Sequence, residues 1–205
     1  MVARFPIEDV IIDIESSGVL PRLLLHCCCA PCASYVLEYL SPFFEISALF
    51  YNPNIMPWEE HGKREAELIK LLSWAEYPTL VRLEDVEYDG SEFEELAERY
   101  WDEPEGGERC RVCFELRLGE TAKLAASSGF DYFATTLSVS PHKDAALLNE
   151  IGGKLAELYG VKYLDSDFKK RDGYKRSVEL SKEYGLYRQG YCGCKAEGSL
   201  SFIRS

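Results

Sequence analysis

Short apolar runs alternate with longer segments of helical periodicity along almost the whole chain. Consecutive apolar residues predict buried strands at 22–26, 45–51, 79–83, 130–136 and 161–164. Apolar residues at three- and four-residue spacing predict helices at 33–40, 58–75, 91–100, 114–127, 144–159 and 174–184. Strands separated by helices are typical of βαβ units, so the pattern predicts an α/β fold with a mostly parallel sheet flanked by helices.

Polar residues and glycines mark several helix ends. Ser91 followed by Glu94 predicts a capping box at the start of one helix. The serines of the segment 138–141 precede the helix that begins at 144 and are candidate caps for it. Gly129, Gly160 and Gly185 follow predicted helices, as C-terminal capping glycines do.

The length of 205 residues fits a single domain over 1–205. No apolar run approaches the roughly 20 residues that a membrane span needs. The first fifteen residues contain Glu8, Asp9, Asp13 and Glu15, whereas a signal peptide needs a basic start and an uncharged apolar stretch. We therefore expect a cytoplasmic protein without a membrane partner.

Eight cysteines are the main departure from an ordinary composition. Cytosolic thiols stay reduced, and closely spaced cysteines there more often bind metal or carry out redox chemistry than form disulfides. They fall into three groups, which are Cys27, Cys28, Cys29 and Cys32, then Cys110 and Cys113, then Cys192 and Cys194. Cysteines that serve only as small core residues would have no reason to cluster in this way.

The pair Cys29 and Cys32, between a strand and a helix, allows two interpretations. It is a thioredoxin-like redox pair at a helix N-terminus, or it is half of a metal site. The pair Cys110 and Cys113 favours the second interpretation, because two such pairs supply four thiolates. Compact zinc ribbons place their pairs about 15–20 residues apart. The much wider spacing here favours a catalytic cluster built into a whole domain, with a structural zinc site as the alternative.

The C-terminal pair Cys192 and Cys194 is separated by a single glycine, which lets the backbone fold tightly around a metal. The thiols together exceed what one four-ligand site needs, so a second metal is expected. Soft thiolates limit the candidates to iron, zinc or copper. His26, at the end of the first predicted strand, is more typical of a packed histidine than of a ligand.

The net charge of −12 argues weakly against a nucleic-acid partner. Acidic residues dominate 84–108, but residues 162–188 carry a run of lysines and arginines that can form a local phosphate-binding face. A solvated helix face explains that run equally well. The chain has no G-x-x-x-x-G-K-[ST] loop and no G-x-G-x-x-G, so the sequence gives no direct support for a nucleotide cofactor.

Taken together, the motifs resemble those of the cobalamin-independent epoxyqueuosine reductases. The similarity extends from about Leu23 to Cys194 and rests on the segments HCCCAPC at 26–32, YNPNI at 51–55, RCRVC at 109–113, DFKK at 167–170, GYKRS at 173–177, YRQ at 187–189 and YCGC at 191–194. The family pattern is H-x-C-C-A-P-C, so Cys27 occupies a variable position. The resemblance implies a fold of the adenine-nucleotide α-hydrolase type and an oxidoreductase that converts epoxyqueuosine at the tRNA wobble position to queuosine.

The resemblance also implies an iron–sulfur [4Fe–4S] cluster with a neighbouring mononuclear metal, iron, and an external electron donor. The expected metal ligands are Cys28, Cys29, Cys32, Cys110, Cys113, Cys192 and Cys194. We expect Cys29, Cys32, Cys110 and Cys113 to hold the cluster, and Cys28, Cys192 and Cys194 to hold the second metal. The basic and cysteine-containing segment 165–205 is expected to complete the site.

Substrate contacts are expected from residues of both halves of the chain. Tyr51 and Asn52 end a strand at the sheet edge where the site is expected, and the basic side chains offer phosphate contacts. The candidates are Tyr51, Asn52, Lys169, Lys170, Arg171, Tyr174, Lys175, Arg176 and Arg188, with Tyr187 as a second stacking ring. No residue is assigned as the general acid. A thiol–disulfide oxidoreductase and a zinc-stabilised binding module are the competing functions.

Overall fold

A computed structural model describes residues 4–84, 86 and 89–194. Its centre is a six-stranded sheet in which every paired strand runs parallel to its neighbour. The strands are β1 (Phe5–Pro6), β2 (Arg22–His26), β3 (Glu45–Leu49), β4 (Arg82–Glu84), β5 (Tyr132–Thr135) and β6 (Lys162–Asp165). Their spatial order is β1-β6-β5-β2-β3-β4, which confirms the predicted α/β class.

Seven α-helices connect and cover the strands in the described part of the chain. They are α1 (Ile7–Ser17), α2 (Ala30–Leu40), α3 (Trp58–Trp74), α4 (Ser91–Ala97), α5 (Glu108–Ser127), α6 (Ala145–Tyr159) and α7 (Gly173–Glu183), with short 3₁₀ turns at Glu98–Tyr100 and Thr136–Val139. Within those same residues, no helix combines the length and the apolar character that crossing a bilayer requires.

The leucine run of β2 shows how the two helical layers are held. Leu23 and Leu25 face a core shared with α1, α2 and α7, whereas Leu24 faces a core shared with α5. All three side chains are fully buried. The sequence of such a strand is a continuous apolar run, because helices cover both faces of the parallel sheet.

Chain order places a topological switch point at the centre of the sheet. From β2 the chain proceeds through β3 to β4 on one side, whereas β5 and β6 lie on the other side. Ligands of open parallel sheets bind beyond the carboxyl ends of the strands at such a point. The residues that follow β2 and β5, including Cys28 and Thr136, meet there, and the Cys28 amide donates to the Thr136 hydroxyl at 3.1 Å.

Local differences from the predicted elements have identifiable causes. The two-residue edge strand β1 and helix α1 were not predicted, and a strand as short as β1 has no detectable period. The predicted capping box at Ser91 is wrong, because the helix is capped at Gly90 and the Ser91 amide donates to the Asp89 carboxylate at 2.9 Å. The serines of 138–141 do not cap α6 either, since Asp144 accepts its first amides.

Helix α5 begins at Glu108, six residues before the predicted start. The Glu103 carboxylate accepts the Glu108 amide at 2.9 Å and so satisfies one of the free amides of the first turn. The earlier start brings Cys110 and Cys113 into the first two turns of the helix, where they are held one turn apart.

Gly152 of α6 should tolerate no side chain, because an added Cβ would lie 2.5 Å from the Tyr163 ring of β6. Overpacking of this kind costs about 1–3 kcal/mol, so Gly152→Ala should lower the free energy of unfolding by that amount. The matched control is Gly62→Ala in α3, where no atom lies within 4 Å of the added Cβ. Alanine in that helix should stabilise by about 0.5–1 kcal/mol. Urea unfolding of both variants measures the difference, and equal midpoints would contradict the close α6–β6 contact.

Candidate functional site

Three thiols lie together just beyond the carboxyl end of β2. Cys28 and Cys29 occupy the loop, and Cys32 lies in the first turn of α2, for which Cys29 is the N-terminal cap residue. Their three Sγ atoms are all within 4.8 Å of one another, and this is the one group of metal-ligand type found in the described residues. The sequence motif therefore folds into a compact set of soft ligands.

Without a cation, only one member of this group ionises readily. The Cys29 and Cys32 thiols donate to Cys28, and these hydrogen bonds lower the pKa of Cys28 well below its usual value. The same interaction, together with burial, raises the pKa of Cys29 to about 12 and raises the pKa of Cys32. Three thiolates this close repel one another, and a bound metal is the group that removes that repulsion.

Cys27 lies apart from this group. Its side chain is fully buried in the apolar core beneath α2, and its Sγ lies 3.5 Å from the Leu25 carbonyl oxygen. Burial raises the pKa of the Cys27 thiol, so the environment favours the neutral form. The geometry agrees with the variable position that this cysteine occupies in the motif.

Cys110 and Cys113 lie in the first two turns of α5 and are buried there. The Cys110 Sγ accepts the Gly106 amide at 3.2 Å, and the Cys113 Sγ accepts a guanidinium N–H of Arg117 at 3.7 Å. Cys110 belongs to the apolar cluster on which Cys28 packs, whereas Cys113 packs with Cys192 and Cys194. Helix α5 thus connects the group of Cys28, Cys29 and Cys32 with the C-terminal pair.

The C-terminal pair is fixed by contacts to the loop before α3 and to α3 itself. The Gly193 carbonyl accepts the Met56 amide at 3.1 Å, and the Cys192 carbonyl accepts from Arg64 at 2.9 Å. Gly193 has φ +105°, and a side chain there would also press on the Arg64 guanidinium at 3.3 Å. The glycine between the cysteines is therefore required by the backbone.

Cys192 is the thiol of this pair that favours ionisation. A hydrogen bond from Cys194 lowers the pKa of Cys192 to about 5, with further lowering from Lys143 and Arg117. The Lys143 Nζ lies 3.6 Å from the Cys192 Sγ and forms an ion pair with Glu105 at 2.5 Å. The same donation raises the pKa of Cys194.

Arg117 is a buried cation at the centre of the site, 2% exposed. It donates to His26 Nε2 at 3.3 Å, to the Asn52 side-chain oxygen and to the Cys113 Sγ. Within the described residues 4–84, 86 and 89–194, Arg117 forms no ion pair with a carboxylate. Burial alone would lower its pKa, but Cys113, Cys28 and Cys192 as anions raise it. Cys28 and Cys192 have lowered pKa values, whereas burial raises the pKa of Cys113 to about 11, so Cys28 and Cys192 are the sulfurs that can carry the balancing negative charge.

His26 supports the site and keeps its ring nitrogens occupied. Nε2 accepts an N–H of Arg117 at 3.3 Å, so the neutral ring carries its proton on Nδ1 and donates it to the Thr135 hydroxyl at 2.9 Å. The Tyr51 carbonyl oxygen also lies 3.1 Å from Nε2, as an electrostatic neighbour and not as a hydrogen-bond acceptor in this tautomer. Burial, followed by the charge of Arg117, lowers the pKa of His26 to about 3. A neutral, fully engaged imidazole matches the packed role expected for this residue.

A cavity of about 490 Å³ opens onto the thiols. Cys28, Cys29, Cys32 and Cys192 line it, and so do four cations, which are Arg64, Arg117, Lys143 and Arg188. Glu105 is the one carboxylate in its lining. Arg64 is paired with Glu60 at 2.7 Å and Lys143 with Glu105, so the lining concentrates cations, part of whose charge is compensated, in a chain with a net charge of −12.

Of the expected substrate contacts, Tyr174 and Arg188 line this cavity, with the Arg188 guanidinium 5.2 Å from the Tyr174 ring centroid. Tyr51 and Asn52 are not part of the cavity lining. The Tyr51 carbonyl faces His26, and the Asn52 amide spans Arg117 and the Cys27 carbonyl oxygen.

The remaining basic candidates lie outside the lining. Lys169 donates to the Ser138 and Lys143 carbonyls at 3.2 and 3.0 Å, and Arg176 pairs with Glu38. Lys170 and Arg171 line a separate cavity of about 320 Å³ at the β1–β6 end of the sheet, and Lys175 is exposed on α7. Of the predicted basic contacts, only Arg188 therefore lines the thiol cavity, because local sequence does not distinguish a cation that faces a cavity from one that is paired within the fold.

Arg64, Arg117 and Lys143 line the thiol cavity but were not predicted as site residues from the sequence, whereas Asn54, also in the lining, lies in the YNPNI segment on which the family resemblance rests. The position of Arg117 four residues after Cys113 was a readable signal, because residues at that spacing share one helix face. Nothing in the local sequence distinguishes Arg64 or Lys143 from a solvated surface cation.

Comparison with known proteins identifies a single family. The family model described as Epoxyqueuosine reductase QueH matches residues 23–197. Proteins named epoxyqueuosine reductase QueH are similar over most of the chain. The protein from Streptococcus pyogenes is 45% identical over 182 residues, covering 88% of this chain and 71% of its own length. That from Staphylococcus epidermidis is 42% identical over 192 residues (92% and 81%), and that from Thermotoga maritima 37% over 181 residues (84% and 88%).

The adjacent residues Cys27 and Cys28 give a matched test of which thiols bind metal. Cys28→Ala removes a member of the close group, so anaerobically purified protein should contain less metal. Cys27→Ala removes a thiol that packs in the apolar core, so metal content should equal that of the parent. Elemental analysis of both variants measures this, and equal metal content in the two would contradict the site.

Proposed function

Because the chain belongs to the epoxyqueuosine reductase QueH family, we propose that this oxidoreductase removes the epoxide oxygen of epoxyqueuosine at the wobble position of tRNA, giving queuosine. The observation that carries the proposal is the family match over residues 23–197 together with a cationic cavity lined by thiols. Both C–O bonds of the epoxide break, two electrons enter from an external one-electron donor, two protons are taken up, and the products are an alkene and water.

The donor set fits an iron–sulfur centre. Seven cysteines of the motif converge on one region, three of them within 4.8 Å, and soft thiolates suit iron–sulfur clusters. We propose that a [4Fe–4S] cluster is held by Cys29, Cys32, Cys110 and Cys113. An adjacent mononuclear iron would be held by Cys28, Cys192 and Cys194. When bound, these groups supply single electrons and a Lewis-acidic position for oxygen.

The chain's own cations stabilise the negative charge that such a centre concentrates. Arg117 contacts the Cys113 sulfur, and Lys143 lies beside Cys192. Although burial opposes it, charged Cys192 and Glu105 raise the pKa of Lys143, so this ammonium stays charged and acts as a hydrogen-bond donor. Both side chains also line the cavity, where they can donate to a polar substrate.

The same cavity suits an unpaired nucleotide of an anticodon loop. Single-stranded RNA is bound by aromatic stacking combined with cationic contacts, and Tyr174 and Arg188 provide both at the cavity wall. Lys170 and Lys175 are exposed and remain candidate outer phosphate contacts. Because the rest of the chain is acidic, we expect the contact with tRNA to be confined to this basic region.

The C-terminal segment 165–205 belongs to the proposed site through Tyr174, Arg188 and Cys192. Residues 195–205 lie outside the described residues. We propose the cytoplasm as the place of action, because thiols stay reduced there and tRNA is available. One α/β domain over 1–205 would then contain the complete metal and tRNA site.

Anaerobic purification with iron, sulfide and zinc analysis tests the metal proposal. Brown protein with about four sulfides and four to five irons per chain is expected from the [4Fe–4S] assignment. Cys110→Ala should lose the visible absorption, because it removes a cluster ligand. Zinc without sulfide would favour a zinc-stabilised binding module, and colourless metal-free protein that reduces insulin disulfides would favour a thiol–disulfide oxidoreductase.

The tRNA proposal predicts a specific effect of Arg188. Each phosphate contact to single-stranded nucleic acid contributes about 0.7 to the slope of log affinity against log salt. Arg188→Gln should reduce the slope by about that amount and raise the KM for tRNA, while iron content stays unchanged. The matched control is Lys182→Gln, a neutralisation on the last turn of α7 outside the cavity lining. Equal slopes for the two variants would remove Arg188 from the tRNA contact.

A further inference from the structure

The carboxamide of Asn54 is buried without a hydrogen bond. The residue is 1% exposed, and neither its Nδ2 nor its Oδ1 has a partner among the described residues. Most buried polar atoms in proteins are paired, because an unpaired one loses its hydration without compensation. An amide that leaves both of its polar atoms unpaired therefore calls for a partner beyond the described residues.

Asn52, in the same loop, is a buried asparagine whose side-chain amide has hydrogen-bond partners within the chain. It is also 1% exposed, but its Nδ2 donates to the Cys27 carbonyl at 2.9 Å and its Oδ1 accepts from Arg117. The two asparagines are equally buried and two residues apart, and only the first is used to support the scaffold.

Asn54 lines the thiol cavity together with Cys28, Cys29 and Cys32. Its backbone is held on both sides. The Ile55 amide donates to the Asn52 carbonyl at 3.1 Å, and the Met56 amide donates to the Gly193 carbonyl at 3.1 Å. The loop thus holds Asn54, with its buried amide, in a fixed position at the cavity wall between the strand-end thiols and the C-terminal pair.

The chemistry of a carboxamide restricts what can satisfy it. It offers a donor and an acceptor, whereas a phosphate group offers acceptors only and would leave Oδ1 unpaired. Four cations in the same lining are better partners for phosphate. A hydroxyl group both donates and accepts, so it matches the amide.

We propose that Asn54 binds the hydroxyl-bearing carbocyclic substituent of the modified nucleoside. This contact rests on the proposed function and deepens it, because it selects the substituent rather than the tRNA backbone. It also orients the epoxide toward the thiol-lined end of the cavity. Asn54 is therefore a specificity-determining residue of the site.

Equilibrium binding without reductant tests the contact apart from catalysis. The probes are tRNA carrying epoxyqueuosine and the same tRNA with unmodified guanine at the wobble position. The parent should prefer the modified tRNA. Asn54→Leu should bind it about tenfold more weakly, because a polar group of the ligand loses its partner, and should bind the unmodified tRNA as the parent does. Asn54→Ala, which adds no bulk, should show the same loss.

Unfolding and metal content separate a ligand contact from a structural one. Asn54→Leu should keep the parent's iron content and unfold at an equal or higher denaturant midpoint, because it removes an unpaired buried amide. Asn52→Leu is the matched control and should unfold earlier, because it leaves Arg117 and a carbonyl unpaired. A midpoint for Asn54→Leu as low as that of Asn52→Leu would overturn the inference.

Binding outcomes distinguish this inference from the function on which it rests. If the parent prefers modified tRNA and both Asn54 variants keep that preference, solvent is the partner of the amide and the inference is wrong, while the proposed function stands. If the parent itself shows no preference and no reduction of the epoxide, the proposed function fails and the inference fails with it.

Discussion

The arrangement of the site depends on a guanidinium buried without a carboxylate among the described residues. Arg117 is 2% exposed and is surrounded by His26, the Asn52 amide and the Cys113 sulfur. A buried cation is costly unless an anion compensates it, and Cys28 and Cys192, whose pKa values are lowered, are the available anions, whereas burial favours the neutral thiol of Cys113. The charge state of the cysteines and the burial of Arg117 therefore require each other.

This mutual requirement explains why neutral groups fill the remaining contacts of Arg117. A second cation on His26 would oppose it, and burial keeps that imidazole neutral with a pKa of about 3. Asn52 supplies an uncharged acceptor and at the same time ties the loop after β3 to the chain after β2. Neutral acceptors leave the positive charge of Arg117 available to the sulfurs.

Sheet topology brings the separate cysteine groups to one place. The switch point between β2 and β5 opens the carboxyl edge where Cys28 and Thr136 meet, and α5 crosses it with Cys110 and Cys113 on its first turns. The C-terminal pair reaches the same edge because Gly193 and Arg64 attach it to the α3 region. Each segment brings a short motif, and only their convergence brings the three cysteine groups to one edge of the sheet.

The sequence by itself determined the α/β class, the order of the central strands and helices, and the cysteine groups, because these depend on local periodicity and on close spacing. It also carried the family resemblance that the comparisons bear out. Only the tertiary structure decided which cations face the cavity. Arg188 does, whereas Arg176 is paired with Glu38 and Lys169 with backbone carbonyls. Likewise, Asn52 and Asn54 are the same residue type in one loop, and their roles differ because hydrogen-bond partners come from segments distant in sequence.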